Sequence, residues 1–166
     1  MRNHDSPTTR TRLLTILVAA IALFSTSCTW IIRVSVQDTG GQVTGNMVGV
    51  DVTDDGRFVV FATDTAVSPF DTNGLFDVYL RDTAAGTTTA ITGYNGHSRG
   101  PVISGDGSSI AFHSSASDIV AGDTNGVDDV FAYDTTSGAT TRVSESTLGA
   151  EGNGHSRNPD ISDDCN

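Results

Sequence analysis

The chain is expected to be all-β and built from a repeated unit of four short strands. The tetrad Asp-Thr-Asn-Gly occurs at 71–74 and again at 123–126, each copy followed by Asp-Val, an aromatic and a closing Asp (77–82 and 129–134). The copies lie 52 residues apart, and the agreement extends to Asp55-Gly56 and Phe61 against Asp106-Gly107 and Phe112. A period of about fifty residues marks a repeat architecture in which one unit cannot bury its apolar faces alone. The third observation is strand patterning. In Asp129-Val130-Phe131-Ala132-Tyr133-Asp134 both alternating sets are apolar in the middle, as are Val78, Tyr79 and Leu80. A sheet apolar on both faces must be covered on both, as the neighbouring blades of a propeller do. The expectation is a partial β-propeller of four-stranded antiparallel blades, preceded by an N-terminal signal or lipoprotein helix.

The elements follow in order. Residues 1–28 read as an export signal: Arg2, Arg10 and Arg12 precede an apolar run at 13–24, and Ser25, Thr26 and Ser27 lead into Cys28. That tripeptide before a cysteine resembles a bacterial lipoprotein cleavage box, which makes Cys28 the candidate lipidation residue. It departs from the box at Ser25, where an aliphatic residue is usual. Cleavage by an ordinary signal peptidase, or retention as an anchor over the 20 residues 13–32, are the alternatives. Each places the later residues outside the cytoplasm. With Cys28 acylated, Cys165 is the remaining thiol and no structural disulfide is available.

Residues 29–49 are read as the last strand of a preceding blade (30–35) and a connector, because Arg33-Val34-Ser35 matches Arg142-Val143-Ser144 and the two stretches then run without a gap to Thr53 and Ser162. Residues 50–92 form one blade, with strands at 50–53, 57–62, 77–82 and 88–92. Residues 93–152 form the next blade and its connector, with strands at 101–104, 109–113, 129–134 and 140–144. The Asp-Gly pairs at 55–56 and 106–107 supply hairpin turns that tolerate positive φ. Residues 153–166 begin a further blade, since Asn153-Gly154-His155-Ser156-Arg157 repeats Asn95-Gly96-His97-Ser98-Arg99. Helical periodicity is absent after the signal segment, and Thr, Val, Ile and Phe suit strands. A ring of such units needs several times 166 residues, so the length points to part of a propeller.

The string Pro101-Val102-Ile103-Ser104-Gly105-Asp106-Gly107, followed by Ile110-Ala111-Phe112, resembles the blade signature of TolB-type β-propellers, the WD-repeat-like family of exported bacterial proteins. The resemblance covers about residues 30–166, with two good matches and two partial ones. The first unit departs from it at Val50 and Thr53, where the signature has Pro and Ser. The resemblance implies a protein-contact role at the cell envelope. It also implies an enzymatic alternative, because such propellers precede the catalytic domains of serine peptidases of the prolyl oligopeptidase kind.

Chemistry is sparse. The Asp-x-Asn-Gly-x-x-Asp loops place oxygens at positions one, three and seven, where a glycine-permitted turn can converge them on a hard cation. The candidate metal residues are Asp71, Asn73 and Asp77 in one loop and Asp123, Asn125 and Asp129 in the other, with Asp128 as an extra carboxylate. Calcium bound weakly, on the order of 10⁻⁴ to 10⁻³ M, is the implied cofactor. The same residues also suit Asx turns closed by their own side chains. Gly96-His97-Ser98-Arg99-Gly100 spells Gly-x-Ser-x-Gly, but a hydrolase elbow needs a helix after the serine, and here Pro101 and a strand follow. His97, His113 and His155 lack metal-ligand spacing. Asp82 and Asp134 are expected to pair with Arg or to accept backbone N–H groups.

With a formal charge of −11 and no lysine, the chain is not expected to hold nucleic acid. The expected function is a non-enzymatic, lipid-anchored interaction module binding a protein, peptide or glycan. Self-association covering bare blade faces is expected. A calcium-binding repeat protein is the remaining alternative.

Overall fold

The computed structural model describes residues 33–34, 36–37, 41–69 and 71–163. The export segment with Cys28, Cys165, and most of the strand expected at 30–35 lie outside them. All regular elements among the described residues are strands: β1 (Met47–Val52), β2 (Phe58–Thr63), β3 (Asp77–Asp82), β4 (Thr87–Ala90), β5 (Ser98–Ile103), β6 (Ser109–Ser114), β7 (Asp129–Asp134) and β8 (Thr140–Arg142). They form two four-stranded antiparallel meanders, β1-β2-β3-β4 and β5-β6-β7-β8.

The alternation of side chains decides how the sheets meet. In β2, Val60 and Ala62 point one way and Phe61 the other, and the register Phe61↔Tyr79, Val60↔Leu80, Ala62↔Val78 carries both sets across to β3. Val60, Ala62 and Val78 share one buried cluster with Ile103, Ile110, Phe112 and Phe131 of the second sheet. Phe61 and Tyr79 lie on the opposite face, under Val43 and Val67. Phe112 is the repeat counterpart of Phe61, yet it packs against sheet 1. The two sheets therefore stack front to back, with the aromatic face of the second directed to the first and the aromatic face of the first turned away from the second. That is the relation between successive propeller blades, whereas a sandwich would set like faces together. The sheets are blades 1 and 2.

The turns explain why both units close alike. Ser104 Oγ donates to Asp106 Oδ1 at 2.7 Å and accepts from Ser109 N at 3.1 Å. Thr53 Oγ1 makes the same bonds to Asp55 Oδ1 and from Phe58 N, at 2.7 and 3.0 Å. Thr for Ser at this position thus leaves the turn intact, since only the hydroxyl is used. At Val50 the surroundings differ as well: Pro101 is buried against the preceding blade, while Val50 is 65% exposed.

The first strands begin three residues earlier than expected, at Met47 and Ser98 in place of 50 and 101. Each carries a bulge, between Val48 and Val50 in β1 and between Arg99 and Val102 in β5. The bulge needs a left-handed residue, supplied by Gly49 (φ 71°) and Gly100 (φ 58°), and by Asn158 (φ 55°) at the corresponding place in the next unit. Asparagine is the side chain that best tolerates this region.

Two bonds link the inner strands of the blades: Asp51 Oδ2 accepts from Ile103 N at 2.9 Å, and Asp54 N donates to Gly105 O at 3.1 Å. A Cβ on Gly105 would stand 2.9 Å from Asp54 Oδ2 and 3.2 Å from Asp163 Cβ. Corresponding turns of three successive units therefore sit side by side. Residues 159–163 reach that position without forming a strand.

Candidate functional site

Each Asp-Thr-Asn-Gly corner leads into the third strand of its blade, and its asparagine organises it. Asn73 Oδ1 accepts from Leu75 N at 2.7 Å, while its Nδ2 donates to Asp77 Oδ2 and to Tyr94 O, both at 3.0 Å. Asn125 repeats this, accepting from Val127 N at 2.9 Å and donating to Asp129 Oδ2 and Gly152 O. The amide oxygens of Asn73 and Asn125 thus face their own loops in Asx turns. The closing aspartates are buried and bonded alike. Asp77 Oδ1 accepts from Thr92 Oγ1 at 2.8 Å, and Asp129 Oδ1 accepts from Ser144 Oγ at 2.6 Å. Burial pushes the Asp77 carboxyl above the ordinary range, against the pull of its Thr92 and Asn73 bonds.

The first aspartate of the tetrad separates the two corners. In blade 1 the Tyr79 hydroxyl donates a hydrogen bond to Asp71 Oδ2. Burial first, and that bond second, hold the Tyr79 phenol well above its usual range. In blade 2 the position of Tyr79 is taken by Phe131, which has no hydroxyl. The rings are placed almost identically: Phe61–Tyr79 at 5.7 Å and 25°, Phe112–Phe131 at 5.8 Å and 26°. Asp123 is only 8% exposed, and its Oδ2 has no hydrogen-bond partner among the described residues. Desolvation and the neighbouring Asp129 charge push its carboxyl upward.

A further carboxylate reaches this second corner. Glu151 lies four residues before His155, where Gly93 lies four before His97. It pairs in an isolated bridge with Glu145, its Oε2 accepts from Thr124 N and Arg142 Nη1, both at 3.0 Å, and its Oε1 accepts from Thr124 Oγ1 at 2.5 Å. Arg142 stands opposite Phe131 in the register, where blade 1 has Ala90 opposite Tyr79. Asp123, Asp129 and Glu151 each offer an oxygen, and the three lie within 4.8 Å of one another. Sequence spacing misses Glu151 because the motif spans seven residues, and this carboxylate arrives from the loop after β8. Aligning the two histidine positions, which exposes glutamate against glycine, carries the signal.

The remaining candidates are structural. The Gly-x-Ser-x-Gly string enters β5 with no helix after it, and Ser98 is buried with its Oγ donating to Ser114 Oγ at 3.0 Å. His97 and His155 do one job: their Nδ1 atoms accept from Phe76 N and Asp128 N, both at 3.0 Å. His113 Nδ1 is buried without a partner among the described residues, and desolvation lowers its pKa. Asp128 pairs with Arg157. Asp82 bridges Arg57 at 2.8 Å and accepts from Ala84 and Ala85 N, which holds its carboxyl at about 2. Asp134 accepts from Thr136 and Ser137 N and is likewise lowered.

No family model and no curated protein matches the chain. Among solved structures, it is similar to a putative TolB from Agrobacterium tumefaciens, at 21% identity and TM-score 0.45 over 63% of this chain and 31% of that one. It is also similar to TolB from Acinetobacter baumannii, at 24% identity and TM-score 0.41 over 59% of this chain and 21% of that one. A third likeness is to the β-propeller domain of the Trilobed protease from Pyrococcus furiosus, at 12% identity and TM-score 0.40, covering 58% and 27%. The chain thus spans a third or less of each. Strand order and the front-to-back packing of Phe61 and Phe112, rather than these similarities, make the two sheets blades. The TolB-type signature at 101–112 agrees with them.

Proposed function

We propose that the chain is an exported, non-enzymatic propeller module that works by protein contact at the cell envelope, tethered through Cys28. The observation that carries this is the apolar stripe on β1. Val50 and Val52 are 65% and 51% exposed, whereas Ile103, the counterpart of Val52 in blade 2, is 5% exposed. Ile103 is covered by Val60, Ala62 and Val78 of the preceding blade. A surface with the same pattern therefore suits the same cover, the apolar face of a β-blade. The proposed occupant is the far side of blade 2 in a second copy, where the half-buried Val130 and Ala132 lie on the face turned away from blade 1. The tying of Ser98 to Ser114, and of the two ring nitrogens to backbone N–H groups, supports a binding role over hydrolysis.

Light scattering on the full chain in detergent tests this against the same chain carrying Val50→Ser and Val52→Ser. Assembly in the parent and its loss in the variant are expected. A parent that is a cooperatively unfolding monomer overturns the self-association. Incorporation of labelled palmitate that persists in Cys28→Ser would exclude that cysteine as the anchor.

A further inference from the structure

We propose that the second corner is a calcium site built by Asp123, Asp129 and Glu151, and that the first corner, although it shares the tetrad, is not. Three carboxylates meet within 4.8 Å, and Arg142 is the guanidinium bonded among them, to Glu151. With all three ionised, this leaves two negative charges, which a divalent cation matches. Oxygens on opposite sides of a calcium ion at about 2.3–2.6 Å stand roughly 4.6–5.2 Å apart, so the observed spacing fits one coordination sphere. Carboxylates are the ligands a hard cation takes, and backbone carbonyls and water complete its shell.

The orphaned Oδ2 of Asp123 points to the ligand independently of the cluster. A buried carboxylate oxygen with no donor is costly, and native structures leave few. Blade 1 shows what the same oxygen does when a protein donor is supplied, because there the Tyr79 hydroxyl takes it. At the second corner three changes occur together at repeat-equivalent positions. Phe131 removes the hydroxyl, Glu151 adds a carboxylate where blade 1 has Gly93, and Arg142 stands where blade 1 has Ala90. The first two favour a cation. The third confines Glu151, holding it against Thr124 and aimed at the corner. The affinity expected of an exported module of this kind is on the order of 10⁻⁴ to 10⁻³ M.

The test is calorimetric titration of the full chain in detergent with calcium chloride, paired with thermal melting in calcium and in chelator. One ion per chain and a melting point raised by several degrees are expected. Glu151→Gln is expected to weaken binding tenfold or more. Phe131→Tyr, which restores the hydroxyl seen at Tyr79, is expected to abolish binding while leaving the calcium-free protein at least as stable. Asp71→Asn in blade 1 is expected to bind as the parent does. Absence of binding in the parent overturns the site and leaves Arg142 as the sole counter-charge. Undiminished binding in Glu151→Gln and Phe131→Tyr, or its loss in Asp71→Asn, overturns the assignment to the second corner. Should Phe131→Tyr fail to fold, Glu151→Gln decides alone.

Discussion

Blade 1 and blade 2 bury the same aspartate at the same corner and treat its charge differently. Blade 1 meets Asp71 with a phenol from the strand beside it, inside the sheet. Blade 2 gives Asp123 a phenyl ring in that place and brings in Arg142 from β8 and Glu151 from the loop after it. Three features of the corner are held constant between them: the aromatic stacking, the Asx turn, and the hydroxyl on the closing aspartate. The difference teaches that a repeat can keep its packing and change its chemistry at two or three positions, because packing and charge are carried by different atoms of neighbouring residues.

The largest expected effect probes what the blades share. Phe61→Ala and Phe112→Ala each remove a fully buried ring and are expected to cost about 3–5 kcal/mol in urea unfolding. Phe112→Ala is expected to be no milder than Phe61→Ala, since Phe112 sits in the cluster between the blades and its loss loosens both sheets. A markedly milder Phe112→Ala would break the front-to-back packing.

The next prediction converts one corner towards the other. Tyr79→Phe leaves Asp71 Oδ2 without its donor and is expected to cost about 1–3 kcal/mol. The reading is a shift in the urea midpoint with an unchanged slope. A neutral outcome would mean that Asp71 finds water as readily as it finds the phenol.

The smallest effects lie at the outer turns and are read by pH. The folded pKa values of Asp82 and Asp134 are depressed, Asp82 to about 2. A depressed carboxyl contributes stability that is present above its unfolded value, about 3.9, and is lost as pH falls through the folded value. Asp77 and Asp123 have the opposite sign: their raised pKa values penalise the folded state at neutral pH, and the penalty eases on acidification. Arg57→Ala is expected to raise the Asp82 titration midpoint, by carboxyl NMR, and to leave Asp134 unmoved, because its bonds come from Thr136 and Ser137 N. Stability at neutral pH should change least in this variant, since half of the Arg57 side chain is in water.

Much of the fold was legible because it is local and periodic. The third strands occur where the sequence places them, 77–82 and 129–134, since both apolar faces and both flanking aspartates are written in six residues. The first strands begin at 47 and 98, ahead of the 50 and 101 that the sequence suggests, because a glycine that ordinarily breaks a strand here makes a bulge and lets pairing resume beyond it. The links between blades were not legible: nothing in Asp51 announces that it will accept from Ile103 N. At the candidate site, Asp123 and Asp129 were visible as a motif. Glu151 was not, and Phe131 reads as an ordinary core aromatic until it is set against Tyr79. The meaning of that pair is a missing atom, which becomes visible only when both corners are seen in space.

Gly105 marks the place where the turns of successive units crowd one another. A methyl there would stand 2.9 Å from Asp54 Oδ2, the end of an exposed side chain that can swing aside, and 3.2 Å from Asp163 Cβ, so the neighbours need give by only a few tenths of an ångström. Gly105→Ala is therefore expected to be felt at the seam between units, where Asp54 N donates to Gly105 O, and not inside either sheet.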